Sequence, residues 1–123
     1  MPVESVSSVF VVDDESVIVV TLTAILSYSG FRVTGFHSAE DALRGAEAGC
    51  PDLLITDVAM PGMNGIELAI RFKSLYPSCK ILLFSGYLDT AELLSAASLD
   101  GHKFPILAKP ACPTDLLDAI RKL

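Results

Sequence analysis

Short apolar runs alternate with longer stretches of helical spacing along the whole chain. The runs fall at 9–12, 31–34, 53–56, 81–84 and 104–108, each closed by a polar or Gly/Pro break. Between them the spacing predicts helices near 16–29, 39–48, 65–75, 90–99 and 114–122. Ser38 followed by Asp41 reads as an N-cap with an acid at the third helical position, and Gly49 and Gly101 stand where C-terminal caps belong. Five strands alternating with five helices predict an α/β fold built on a parallel sheet.

The runs differ in a way that orders them. Runs one, three and four carry apolar residues on both faces, as expected of strands covered by helices on both sides. Run two places Arg32 and Thr34 on one face, which suits an edge. Run five carries Pro105, which has no N–H to give to a ladder and also prefers an edge. Outer positions for runs two and five match a flavodoxin-like three-layer sandwich, a five-stranded parallel sheet in the order 2-1-3-4-5.

The chain has 123 residues, enough for one domain. Its 51% hydrophobic content excludes a disordered tail. Fifteen acids against nine scattered bases give a net charge of -6, which argues against direct nucleic-acid binding. Cys50, Cys79 and Cys112 are odd in number with no metal-ligand spacing, so a reducing cytoplasm is expected. No Lys or Arg occurs among the first eight residues, against a signal peptide. The most apolar stretch, 17–26, is half of the ~20 residues a membrane span needs, so membrane insertion is not expected.

In sheets of this order the ligand site lies beyond the carboxyl ends of the strands. Asp13-Asp14-Glu15 follows the first run, Asp57 the third, Ser85-Gly86 the fourth and Lys109-Pro110 the fifth. Acids, a hydroxyl and a cation therefore converge on one crevice. Adjacent strands lie ~4.8 Å apart, so a group on strand five must span ~10 Å to reach strand three, which a lysine can do. Crowded carboxylates repel one another, and a hard divalent cation such as Mg²⁺ relieves this. With Mg²⁺ and Lys109 the formal charges of Asp13, Asp14 and Asp57 sum to zero. A carboxylate is also a covalent acceptor of phosphoryl groups. Each residue has a plainer reading: acids that favour a helix N-terminus, a turn-forming aspartate before Pro61-Gly62, a common loop serine, a solvated lysine. Their joint placement at four strand ends is what weighs against those readings.

Val9-Phe10-Val11-Val12-Asp13-Asp14-Glu15, the segment Thr56-Asp57-Val58-Ala59-Met60-Pro61-Gly62-Met63-Asn64-Gly65, then Phe84-Ser85-Gly86 and Ala108-Lys109-Pro110 resemble the receiver domain of bacterial response regulators. The resemblance runs over essentially the whole chain. It implies that Asp57 accepts a phosphoryl group from a histidine kinase or histidine phosphotransfer protein. It further implies that Asp14 and Asp57 ligate Mg²⁺ directly, with Asp13 acting through water and the Ala59 carbonyl as a further ligand. Ser85 and Lys109 would contact the phosphoryl oxygens, and the Lys109–Pro110 bond would be cis. The implied partners are the phosphodonor, a downstream protein and, as often in the family, a second copy in a homodimer. The only catalysis implied is of the domain's own phosphorylation and dephosphorylation.

Two features depart from the family. Ile106 stands where a Tyr or Phe is usual three residues before the lysine, which puts the aromatic switch in doubt. Tyr87 is a candidate to replace it, or to shield the aspartyl phosphate. After Leu123 no output segment follows, so the expectation is a receiver domain over 1–123 with no output domain, stand-alone or excised. Other classes remain open. One is a pseudo-receiver that binds partners without phosphate turnover. The other is an aspartate-nucleophile phosphatase, opposed by Ala59 where a second Asp belongs. The helix near 16–29 is apolar on more than one face, and its excess residues, Val19, Val20 or Thr23, are candidates for a docking patch.

Overall fold

The computed structural model describes residues 8–85, 104–108 and 112–123. In chain order its elements are β1 (Ser8–Val12), α1 (Ser16–Tyr28), β2 (Arg32–Phe36), α2 (Ala39–Ala48), β3 (Leu53–Asp57), α3 (Gly65–Leu75), β4 (Lys80–Ser85), β5 (Ile106–Ala108) and α4 (Pro113–Arg121). The expected helix near 90–99, its Gly101 cap, Tyr87, Lys109 and the Lys109–Pro110 bond lie outside the described residues.

All strand pairs are parallel and the sheet order is β2-β1-β3-β4-β5, as the apolar pattern predicts. Alternate side chains of the central strands feed two cores. Phe10, Val12, Leu54, Ile81 and Leu83 pack with α2 and α3 on one face. Val9, Val11, Leu53, Ile55, Leu82 and Phe84 pack with α1 and α4 on the other. The result is three layers with β1, β3 and β4 buried on both sides.

Local chemistry fixes the helix starts. The Ser38 hydroxyl accepts the Asp41 N–H at 3.1 Å, the cap expected from sequence, worth about 1 kcal/mol. Asn64 and Glu67 form a reciprocal capping box at the head of α3, with bonds of 2.9 and 3.0 Å. Pro113 opens α4 at a position that needs no N–H donor. Pro105 stands one residue before β5, where its carbonyl still accepts the Leu83 N–H at 2.9 Å.

β2 extends two residues past the apolar run 31–34, to Phe36, which pairs with Val12 and whose ring is tilted against that of Phe10 with centroids 4.7 Å apart. One expectation needs correction. Val19 is core and not part of a surface patch, being only 6% exposed. The reason is Gly35 in β2: a Cβ there would lie 2.4 Å from Val19 Cγ1, so the missing side chain is the space that Val19 fills. Val20 is exposed, joined on the outer face of α1 by Val17.

Candidate functional site

The site is assembled at the carboxyl end of the sheet by strand register. Val12 pairs with Thr56, so the next residues, Asp13 and Asp57, stand level on neighbouring strands. The Asp13 N–H donates to the Phe36 carbonyl at 3.1 Å, continuing the β1–β2 ladder one residue beyond the strand. Its carboxylate Oδ1 accepts the Glu15 N–H at 2.9 Å, which turns the chain into α1. Asp14, between Asp13 and Glu15 in sequence, is exposed.

Asp57 is the last residue of β3 and is 4% exposed. Its Oδ1 accepts the Val58 N–H at 2.9 Å, and its main-chain carbonyl accepts the Thr56 hydroxyl at 2.9 Å. One carboxylate oxygen from each of Asp13, Asp14 and Asp57 lies within 4.8 Å of the others. Like charges at that spacing repel one another. The donors are all hard carboxylate oxygens, a set that fits a hard divalent cation such as Mg²⁺ and not a soft metal.

The loop after Asp57 is anchored from below by Val58, fully buried, and Met60, 9% exposed, which leaves Ala59 between them at the surface. Gly62 turns the loop with φ of 73°, a conformation that favours glycine. The Gly65 N–H then donates to the Val58 carbonyl at 2.9 Å and closes the loop onto the strand end. On the other side of β3, Asp57 pairs with Phe84, so Ser85 ends β4 one step beyond it and is 8% exposed. Ser85 pairs in turn with Ala108 of β5.

Of the residues expected from sequence, Asp13, Asp14 and Asp57 are brought together, and Ser85 ends the neighbouring strand. Lys109 lies outside the described residues. The sequence reading assigned no role to Thr56, Val58 or Gly65. Only Thr56 carried a visible signal, a hydroxyl within an otherwise apolar run. Ile106 is 46% exposed on edge strand β5. The three cysteines are free. Cys79 sits at the opposite end of the sheet, where burial pushes its thiol up to about 12.

The sequence matches the response regulator receiver domain family over residues 9–121, and the chain belongs to that family. It is 36% identical over 105 residues to the transcriptional regulatory protein FixJ of Bradyrhizobium diazoefficiens, covering 83% of this chain and 49% of that protein. It is 31% identical over 115 residues to the C4-dicarboxylate transport transcriptional regulatory protein DctD of Rhizobium meliloti, covering 94% of this chain and 25% of that protein. The chain thus spans half or less of the length of these relatives. The signal receiver domain of an HD domain-containing protein from Pseudomonas fluorescens superposes with a TM-score of 0.86 at 29% identity, covering 94% and 92% of the two chains. The Vibrio cholerae chemotaxis protein CheY4 gives 0.82 at 28% identity, covering 95% and 98%. Receiver domains are signalling domains of two-component systems, not classical enzymes, and they generally hold Mg²⁺ at an acidic pocket. Among the described residues no helix is long and apolar enough to cross a membrane.

Proposed function

We propose that this chain is a phosphoacceptor of a two-component system or phosphorelay, working in the cytoplasm. A histidine kinase or histidine phosphotransfer protein donates the phosphoryl group to Asp57, and the phosphorylated domain signals through protein contacts. The observation that carries this reading is the clustering of the Asp13, Asp14 and Asp57 carboxylates within 4.8 Å at the ends of two neighbouring strands.

Asp13, Asp14, Asp57 and the Ala59 carbonyl would hold Mg²⁺, which neutralises charge on the transferred group when bound. Asp57 is the nucleophile. A carboxylate oxygen forms a bond to phosphorus as the bond from phosphorus to the donor's imidazole nitrogen breaks, and that electron pair stays on the nitrogen. The Val58 N–H holds the Asp57 carboxylate in a fixed plane for the attack. The Ser85 hydroxyl donates to a phosphoryl oxygen, and the Lys109 ammonium pairs with another. Burial of Asp57 keeps bulk water from competing with the acceptor.

Incubation with acetyl phosphate and Mg²⁺, read by intact-protein mass spectrometry beside Asp57→Ala, tests the reading. A gain of one phosphoryl group in the wild type only is the expected result. No gain under conditions that label an established receiver would favour a pseudo-receiver, the alternative that Ile106 leaves open. Steady hydrolysis of a phosphoester would point instead to a phosphatase.

A further inference from the structure

We propose that Gly65 is a positioning residue for Asp57, acting by the absence of a side chain. This inference rests on the phosphoacceptor reading of Asp57. Gly65 is the first residue of α3 and is buried. A Cβ placed on it would lie 1.8 Å from the Asp57 carbonyl oxygen, 2.8 Å from the Asp57 carbonyl carbon and 3.0 Å from Val58 Cα. All of these are main-chain atoms, so none can swing aside as a flexible side chain would. The requirement is for space and not for a special dihedral. Among the described residues, the glycines with φ in the left-handed region are Gly30 and Gly62, and Gly65 is not one of them. Helix propensity alone would favour Ala at position 65.

The contact leads directly to the reacting carboxylate. The Gly65 N–H donates to the Val58 carbonyl at 2.9 Å, and the Val58 N–H donates to Asp57 Oδ1 at 2.9 Å. The seat of α3 on the end of β3 therefore sets the Val58 residue, and Val58 sets the carboxylate. The capping box between Asn64 and Glu67 holds the helix start in that seat. An added methyl group forces the helix head and the Asp57 backbone apart by on the order of 1 Å, the scale at which misplacement costs about 10²-fold in rate.

Three variants of the full chain test this, each checked for folding by near-ultraviolet circular dichroism. Gly65→Ala is expected to slow phosphorylation by acetyl phosphate and Mg²⁺ about 10²-fold relative to wild type. Phe72→Leu weakens the same helix at a fully buried residue that forms no part of the site, and is expected to label at the wild-type rate. Glu67→Ala releases the helix head without adding an atom, and is expected to slow labelling by about 3-fold. Equal labelling of folded Gly65→Ala and wild type would overturn the inference. So would an equal loss in Phe72→Leu, which would make the effect one of stability. Should Gly65→Ala not fold, Glu67→Ala decides, and its wild-type rate would overturn the inference.

A second readout needs no phosphodonor. Hydrogen exchange at the Val58 amide is expected to quicken at least about 10-fold in Gly65→Ala, or in Glu67→Ala should the former not fold, and not in Phe72→Leu. If the wild type itself takes no phosphoryl group, the phosphoacceptor reading fails on its own. The Val58 amide then decides the positioning role, and unchanged exchange would overturn it.

Discussion

At the amino ends of β1 and β3, Asp52 accepts the Ser8 N–H at 3.0 Å and the Ser8 hydroxyl at 3.4 Å, while Ser8 Oγ accepts the Asp52 N–H at 3.1 Å. At the carboxyl ends of the same two strands, Asp13 and Asp57 carry the same side chain but share their space with Asp14. One end uses an aspartate to join two strands, with donors arrayed around it. The other gathers three carboxylates within 4.8 Å of one another. The difference comes from the parallel sheet, which sends every strand's final residue to the same edge. Asp13 and Asp57 accept backbone hydrogen bonds too, so what sets the carboxyl end apart is the crowding of three carboxylates, an arrangement that suits a cation.

The sharpest way to break this contrast is to exchange the roles of its two ends. Asp57→Ala is expected to abolish labelling by acetyl phosphate completely. Asp52→Ala is expected to label at the wild-type rate yet lose about 1–3 kcal/mol of stability, measured by urea unfolding, because the Ser8 donors lose their acceptor. Loss of labelling in Asp52→Ala would mean that the two ends are coupled.

The amino end also holds Cys79, next to β4 and buried, with its thiol held up to about 12 against an ordinary 9.0. The unfolded thiol ionises near 9.0 and the folded one near 12, so this contribution is complete below pH 9 and lost as the pH rises from 9 to 12. Urea midpoints over that range should fall less in Cys79→Ala than in wild type. At pH 8, a thiol reagent should modify exposed Cys50 and Cys112 rapidly in the native protein and reach Cys79 only after unfolding.

The smallest effect is expected at Asp14, which is exposed and therefore screened by solvent. Asp14→Asn should raise the thermal midpoint by about 1–2 °C in EDTA, through relief of repulsion, and should shrink the gain produced by Mg²⁺. A lower midpoint in EDTA would show that the acid cluster is not under repulsive strain.

Much of this arrangement was legible in the chain itself. Runs at 9–12, 53–56 and 81–84 with apolar residues on both faces marked the central strands, since strands covered on both sides need no polar face. Arg32 and Pro105 marked the edges. The acids at 13, 14 and 57 were found because they follow strands. The apolar run 31–34 stops short of Gly35 and Phe36 because a glycine carries no apolar signal, whereas in the sheet it is the gap that admits Val19. The same contact removed Val19 from the proposed surface patch. Val58 and Gly65 escaped notice because their part in the site is played by backbone atoms, which a residue's type does not reveal.

Among the described residues, the sequence by itself determined the elements, their alternation, the edges of the sheet and the acids at the ends of two of its strands. Hydrophobic periodicity accounts for this, since it records how each position meets water. Only the tertiary structure decided that Val12 pairs with Thr56, which brings Asp13 level with Asp57 and places three carboxylates within 4.8 Å. It alone decided that the head of α3 rests on the main chain of Asp57, too close for a side chain at Gly65. Register and close packing are relations between distant segments, fixed by cross-strand hydrogen bonds and excluded volume, and periodicity along one segment carries neither.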